Sequence, residues 1–440
     1  MSAPTRLIVR QVACLDRTTR IAQVCSVSSA CHSDQRPLRR LSRYFGVDKM
    51  RTLFRKVLQM ALLGGGALLL SAATRPTTWH WDIPSWAPAP VVPSDNPMRA
   101  EKVALGRRLF YDKRLSENGT LACASCHLQK LGFASGVPTH VGAHGEPGLR
   151  TPMPLANVAY LPSYTWANPQ LTTLEKQMLI PMFSDQPVEL GMGGQEKALF
   201  ARLSDDPCYA RLFRVAFPEA KGAITLSTVT KAIASFERTL LSFDSPYDHS
   251  LHGDKTALSP AAQRGEALFF GEKLECSHCH NGLNLTDNIR AANMPFPETG
   301  FHNTGLYNED GKGAYPASDH GLRTVTGNAE DEGKFRTESL RNVALTGPYM
   351  HDGSIATLHD VLAAHYSKGG RSATGPHGEN PLRDQFIEPF DISEAEIADV
   401  IAFLNSLTDQ SFLTNPAFSD PGKTCPLALP SASSSGKGAQ

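Results

Sequence analysis

The chain has 440 residues, enough for two domains of ordinary size. Its 43 basic and 43 acidic residues cancel to a formal net charge of zero, which argues against nucleic acid as a main partner. The 35 glycines and 31 prolines point to a loop-rich fold.

Residues 1–49 resemble neither a leader nor a domain and read as a gene-model extension. From Met50 the layout changes. Met50 to Lys56 is a short basic start, Val57 to Leu70 an apolar run broken by three glycines, and Ser71-Ala72-Ala73 a set of small residues for cleavage. This is the arrangement of a secretory signal over 50–73. A transmembrane helix is the alternative, but the run is short for a bilayer. Cleavage near Ala73 or Thr74 leaves about 365 residues, with no stable membrane span and a periplasmic destination. Residues 74–96, with Trp79, Trp81 and Trp86 among prolines, form an extended arm.

The pattern turns helical over Pro97 to Tyr111, where Val103, Leu105, Leu109 and Phe110 share one broad apolar face. Cys123-Ala124-Ser125-Cys126-His127 follows. C-x-x-C-H is the attachment motif of c-type haem: two thiols add to the haem vinyl groups, and the next His ligates the iron through a neutral imidazole. Zinc or a redox C-x-x-C pair are the alternatives. The same motif recurs as Cys276-Ser277-His278-Cys279-His280, again with a His directly after. Neither alternative requires that His twice. Four cysteines and two ligands, His127 and His280, are thereby assigned to two haems c.

A loop-rich stretch over 132–161 carries His140, His144, Leu149-Arg150-Thr151-Pro152 and Asn157-Val158-Ala159-Tyr160. Leu171 to Phe183 is predicted as a helix, Pro187 to Met192 as a turn, and Gln195 to Val215 as helix broken at Asp205-Asp206-Pro207. Leu226 to Leu241 is amphipathic, with Val229, Ile233, Phe236 and Leu240 on its apolar side. Asp244 to Asp248 interrupts it and marks a boundary between domains at 97–244 and 245–410.

The second half repeats the plan of the first. Ser259-Pro260 starts a helix whose Arg264-Gly265…Leu268-Phe269 parallels Gly106-Arg107…Leu109-Phe110, each ahead of a C-x-x-C-H. The fold expected is mainly α: two cytochrome-c-like haem domains related by duplication, with the haems near their interface. Asn281 to Lys334 looks irregular. Leu358 to Tyr366 and Ser393 to Leu407 look helical, the latter with Glu396 at the capping-box position. Residues 411–440 look like a flexible tail. Of the cysteines left over, Cys208 and Cys425 are candidates for a disulfide in an oxidising compartment.

With both motifs and the run Leu340 to Gly353 in view, the chain resembles the bacterial di-haem cytochrome c peroxidase and MauG superfamily over roughly Pro97 to Leu407. Phe301 to Tyr307 and Gly313-Ala314-Tyr315-Pro316 are most similar to the MbnH-type di-haem enzymes. The resemblance implies a first haem, on His127, open on its distal side to hydrogen peroxide. Gln177 and Pro181 keep the family spacing of that distal pocket. Glu189, shifted by a short insertion, matches the acid/base that splits the O–O bond; the alternative for it is a solvated turn carboxylate.

The second haem, on His280, would be six-coordinate and store an oxidising equivalent. Family peroxidases use Met as its distal ligand and the MauG-like branch uses Tyr. Tyr366 fits the family ending H-Y-x-x-G-G, whereas counting from His351 favours His365, because the helix carries one extra residue. Trp166, 39 residues after His127, occupies the position of an aromatic bridge between haems. A calcium ion is implied on Thr346, Pro348 and Thr151, the last a weaker ligand than the usual Asn. His144 lies in the loop where some peroxidases carry a removable distal His and stays unassigned. His351 is placed near a haem propionate or in packing; Met192 and Met350 are core fillers. Three functions remain open: peroxide-driven oxidation of a Trp on a secreted partner protein, peroxide reduction with electrons from a small cytochrome or cupredoxin, and plain electron carriage.

Overall fold

The computed structural model describes residues 79–370 and 377–426. The expected extension (1–49), signal (50–73), first residues of the arm and end of the tail lie outside the described residues. Among the described residues, no helix is long and apolar enough to cross a membrane.

Two helix crossings organise the molecule. Helix Ala100–Phe110 buries Leu105, Gly106, Leu109 and Phe110 against Leu226–Glu237, which Thr225 caps through the Thr228 amide. Helix Pro260–Phe269, capped by Ser259, packs in the same way on Glu394–Asn405, where Ser393 and Glu396 form the expected capping box. A glycine sits at each crossing. A Cβ on Gly106 would lie 1.9 Å from the Ala232 carbonyl oxygen, and one on Gly265 would lie 1.9 Å from that of Asp399. The G-R and R-G pairs seen in the sequence therefore mark the points where two backbones touch.

Each crossing anchors a core. The first contains Leu105, Phe110, Phe133, Met192, Phe213 and Phe236; the second contains Phe269, Leu285, Val343, Val400 and Phe403. The helix expected over 171–183 is two short ones, Leu174–Gln177 and Leu179–Phe183, which turn at Met178. The predicted break at 205–207 stands between Glu196–Ser204 and Pro207–Ala216. At Ser245 the interruption becomes a cap for the short helix Pro246–Leu251.

Three departures from expectation have physical reasons. Within the irregular 281–334 stretch, Phe301–Asn303 pairs antiparallel with Lys334–Arg336 in a two-stranded ribbon, too short for a period-two pattern to announce it. The arm is packed: Trp86 stacks on His252 at 4.1 Å and Pro90 bridges to Ala291. Residues 410–426 are not free. Helix Gln410–Thr414 buries Phe412, Phe418 joins it in the first core, and Cys425 is disulfide-bonded to Cys208 with Cα atoms 5.8 Å apart.

Candidate functional site

Both C-x-x-C-H motifs are built alike. In each, the His amide donates to the carbonyl of the first Cys, His127 to Cys123 and His280 to Cys276. The His127 Nδ1–H donates to the Phe133 carbonyl at 2.8 Å, and the His280 Nδ1–H to that of Leu285 at 2.9 Å. A carbonyl can only accept, so each tautomer is fixed and each Nε2 keeps its lone pair for a metal. Burial pushes both imidazoles below the ordinary histidine range, which keeps them neutral as ligands. Both acceptor residues have left-handed backbones, φ 63° at Phe133 and 51° at Leu285. Phe110 and Phe269 stand at the same 6.5 Å from their His rings. None of the four motif cysteines is taken up in a disulfide. Two thiols per turn, a neutral imidazole with Nε2 available and an apolar wall fit a haem c twice.

The duplication extends beyond the helix and the haem motif. Arg150-Thr151…Leu155-Ala156-Asn157-Val158-Ala159 and Arg336-Thr337…Leu340-Arg341-Asn342-Val343-Ala344 are two copies of one run. Asn157 and Asn342 are both left-handed and each opens a single 3₁₀ turn. The repeated Asn-Val-Ala was the legible signal.

Beside the second motif lies a cavity of about 470 Å³, within the usual size of a cofactor site. Cys276, Cys279, His280, Trp166, Met350, His351 and Tyr366 line it. Tyr366 follows the π-turn Val361–His365, and its amide donates to the carbonyls of both Leu362 and Val361, the latter five residues away. A π-turn takes in one residue more than an α-turn and is frequent at functional sites. His365 is fully buried, and the lining includes Tyr366 and not His365. Burial, and then the nearby thiols of Cys279 and Cys276, push the Tyr366 phenol well above its ordinary range.

Trp166 donates from Nε1 to the Thr151 carbonyl at 2.8 Å. Thr151 in turn takes its place from the His351 carbonyl, 2.8 Å from its amide. Thr151, Thr346 and Pro348 all line the same cavity and offer neutral hydroxyl and carbonyl oxygens, a donor set suited to a hard cation. His302, on the ribbon, is clamped between Asp287 and Asp384, each 2.6 Å away. Burial opposes its charge, but the hydrogen bond to Asp287, the nearby Cys279 sulfur and the hydrogen bond to Asp384 together raise its pKa above the usual histidine value. Its cluster with Asp287 and Cys279 belongs to the haem edge, because Cys279 is an attachment thiol.

The residues expected on the distal side of the first motif lie on two neighbouring segments. Pro181 accepts from the Leu190 amide at 2.8 Å, which ties the Leu179–Phe183 helix to the turn that carries Glu189. Gln177 lies one turn before Pro181. Glu189 is within electrostatic reach of both Cys123 and Cys126. Its side chain is half-buried, and that burial raises its pKa above the usual glutamate value. His144 points elsewhere, with Nε2 2.6 Å from Glu117 and half its side chain exposed. Met192 is fully buried in the first core.

Residues 100–256 match the di-haem cytochrome c peroxidase family. The chain is 36% identical to the methylamine utilization protein MauG of Methylorubrum extorquens, over 72% of this chain and 80% of that protein. It is 37% identical to the cytochrome-c peroxidase IdrP1 of Denitromonas iodatirespirans, over 78% and 90%. Among solved structures, a MauG-like protein associated with microbial copper homeostasis is 50% identical and superposes with a TM-score of 0.75, covering 78% of this chain and 99% of that one.

Proposed function

This chain belongs to the di-haem cytochrome c peroxidase and MauG family, and from that membership we propose that it uses hydrogen peroxide to oxidise a Trp residue of a secreted partner protein. As a member it is a di-haem oxidoreductase of the peroxidase type. Each attached haem supplies an iron, the first to meet peroxide and the second to hold an oxidising equivalent.

The remaining work falls to the chain's own groups. The Glu189 carboxylate takes a proton from the near oxygen of hydrogen peroxide and returns it to the leaving oxygen. Burial raises its pKa above that of an exposed glutamate, which makes it the stronger base for that transfer. Gln177 and Pro181 shape the pocket and exclude bulk water. Trp166, on the cavity wall, bridges the two haem sites. Thr151, Thr346 and Pro348 hold calcium between them. The disulfide of Cys208 and Cys425 suits an oxidising compartment, in keeping with periplasmic export.

The observation that carries the finer reading is Tyr366 in the second cavity. A phenolate stabilises oxidised iron more than a thioether does, so the site suits storage of oxidising power over reception of electrons from a carrier. The 50% identity to a MauG-like protein supports the same branch.

The test is low-temperature EPR of the ferric, haem-loaded protein, followed by a choice of reductant. A high-spin signal beside a low-spin one is expected, and Tyr366→Phe should alter the low-spin signal. An unaltered signal assigns the ligand to His365. Peroxide is then supplied with either reduced cytochrome c or a Trp-containing secreted copper-binding protein. Mass shifts on Trp peptides support the proposal. Fast oxidation of the cytochrome alone replaces it with a cytochrome c peroxidase, and two low-spin signals with no response to peroxide leave an electron carrier.

A further inference from the structure

The long stretch between the second motif and its Arg-Thr run has no counterpart of like length in the first half. It carries two tyrosines that the reaction above does not use. Tyr315 is 2% exposed. Its ring lies 6.1 Å from that of His351, which lines the cavity, and its phenol interacts electrostatically with that of Tyr366. Tyr307 is next, 5.5 Å from the Tyr315 ring and 6.3 Å from His351. These separations are those of rings in edge contact. Tyr307 is partly exposed. Both rings thus approach the cavity-wall His351; Tyr315 is the buried phenol, in electrostatic contact with Tyr366, and Tyr307 is the one that reaches the surface.

The hydrogen-bond partners of the two phenols differ. Tyr315 donates to the side-chain amide oxygen of Asn303 at 2.9 Å and accepts from the Leu306 amide. Tyr307 donates to a carboxylate oxygen of Asp352. A phenol that loses an electron becomes a strong acid and must shed its proton to stay oxidised. An amide oxygen is too weak a base to take that proton; a carboxylate is a base strong enough to receive it.

We propose that Tyr307 is the surface terminus of an electron path from the second haem site, with Tyr315 as its bridge and Asp352 as the acceptor of its phenolic proton. The proposal rests on the peroxidatic reading above. Tyr307 gives one electron, through Tyr315, to the peroxide-oxidised haem pair, and gives its phenolic proton to Asp352. A neutral tyrosyl radical and a protonated carboxyl remain, and the haem pair is reduced by one electron. An electron from the protein substrate, with the proton returned by Asp352, restores Tyr307. Two such rounds consume the two oxidising equivalents of one peroxide. The partner contact for oxidation is thus the face of Tyr307 and Asp352.

The full haem-loaded chain is mixed with one equivalent of peroxide, without a partner, in the presence of a nitroso spin trap. Haem absorbance reports the reaction with peroxide, EPR with ring-deuterated tyrosine reports the radical, and peptide mass spectrometry locates the trap. The expected result is a tyrosyl signal and an adduct on Tyr307. Tyr307→Phe should lose both while the haem absorbance still responds. Asp352→Asn should cut the adduct by about tenfold or more, through loss of the proton acceptor. An undiminished signal and adduct yield in either variant, with haem that responds, overturn the relay alone. Haem that does not respond in the parent protein overturns the peroxidatic reading and the relay together.

Discussion

In the first half the His127 imidazole is held by the Phe133 carbonyl, and a half-buried carboxyl, Glu189, lies within electrostatic reach of the motif cysteines. In the second, His280 is held in the same way by Leu285 but shares its cavity with a phenol, Tyr366. The proximal device is copied closely, down to the left-handed acceptor residue and the Phe ring. What differs is the residue near each pair of motif cysteines, Glu189 in the first half and Tyr366 in the second. Duplication thus preserved the means of holding iron, and divergence of the following loops separated the tasks. On the proposed function, a carboxyl that can carry a proton would serve where peroxide is split, and a phenol that can ligate or pass electrons would serve where oxidising power is kept.

The harshest way to break this division is Glu189→Gln. The amide keeps the shape and loses the base. The second-order rate with peroxide should fall by about 10²–10⁴-fold, while the low-spin EPR signal of the second haem stays as it was. The pH profile sharpens the point. Burial raises the Glu189 pKa above its ordinary value of 4.5, so the carboxylate is protonated at a higher pH than an exposed glutamate would be. The rate in the parent protein should therefore decline on acidification before an exposed carboxylate would titrate. Stopped-flow rates across pH should show that acid limb in the parent and not in the glutamine variant. A variant that keeps the limb would assign it to another group.

A smaller effect tests the shared part. Gly106→Ala and Gly265→Ala each place a methyl against a backbone carbonyl oxygen of the crossing helix. Backbone cannot swing aside as a side-chain tip can. Each variant should lose about 1–3 kcal/mol of stability, the usual range for overpacking, and the two losses should be alike. Denaturant unfolding of the haem-loaded protein measures both. If one substitution is neutral, the two crossings are not equivalent.

These glycines also show what a single sequence can tell. The duplication was legible because an Arg/Gly pair repeated ahead of a repeated motif is seldom an accident of composition; that the glycines mark helix crossings was not. The Ser393–Glu396 cap was legible because its chemistry is local. The distal carboxyl and Tyr366 were reached through family resemblance, since nothing in a turn glutamate's neighbours announces its burial. The acceptor carbonyls were not legible at all: Phe133 and Leu285 adopt positive φ without the glycine or asparagine that would signal it. The π-turn left only the trace of one residue too many. The C-terminal segment misled because its Ser- and Gly-rich end coloured the reading of residues 410–426, where two phenylalanines and a cysteine argue for packing. Tyr307 and Tyr315 lie in irregular chain, where no periodicity relates one side chain to another.

The gentlest test concerns His144, the residue in the loop where a removable distal ligand would sit. If it capped the first iron, the two halves would be more alike, since both irons would then carry a protein ligand on each side. Its geometry argues otherwise. The Nε2 atom is engaged by Glu117 at 2.6 Å, and half of the side chain is in solvent. An exposed His–carboxylate pair of this kind contributes at most about 1 kcal/mol. His144→Ala should therefore leave the high-spin EPR signal of the ferric protein and its rate with peroxide essentially unchanged, and should lower stability by less than about 1 kcal/mol. A low-spin component in the parent that converts to high-spin in this variant would mean that His144 leaves Glu117 for the iron. The first site would then open only on a redox cue, and Glu189 would act on a face that is first uncovered.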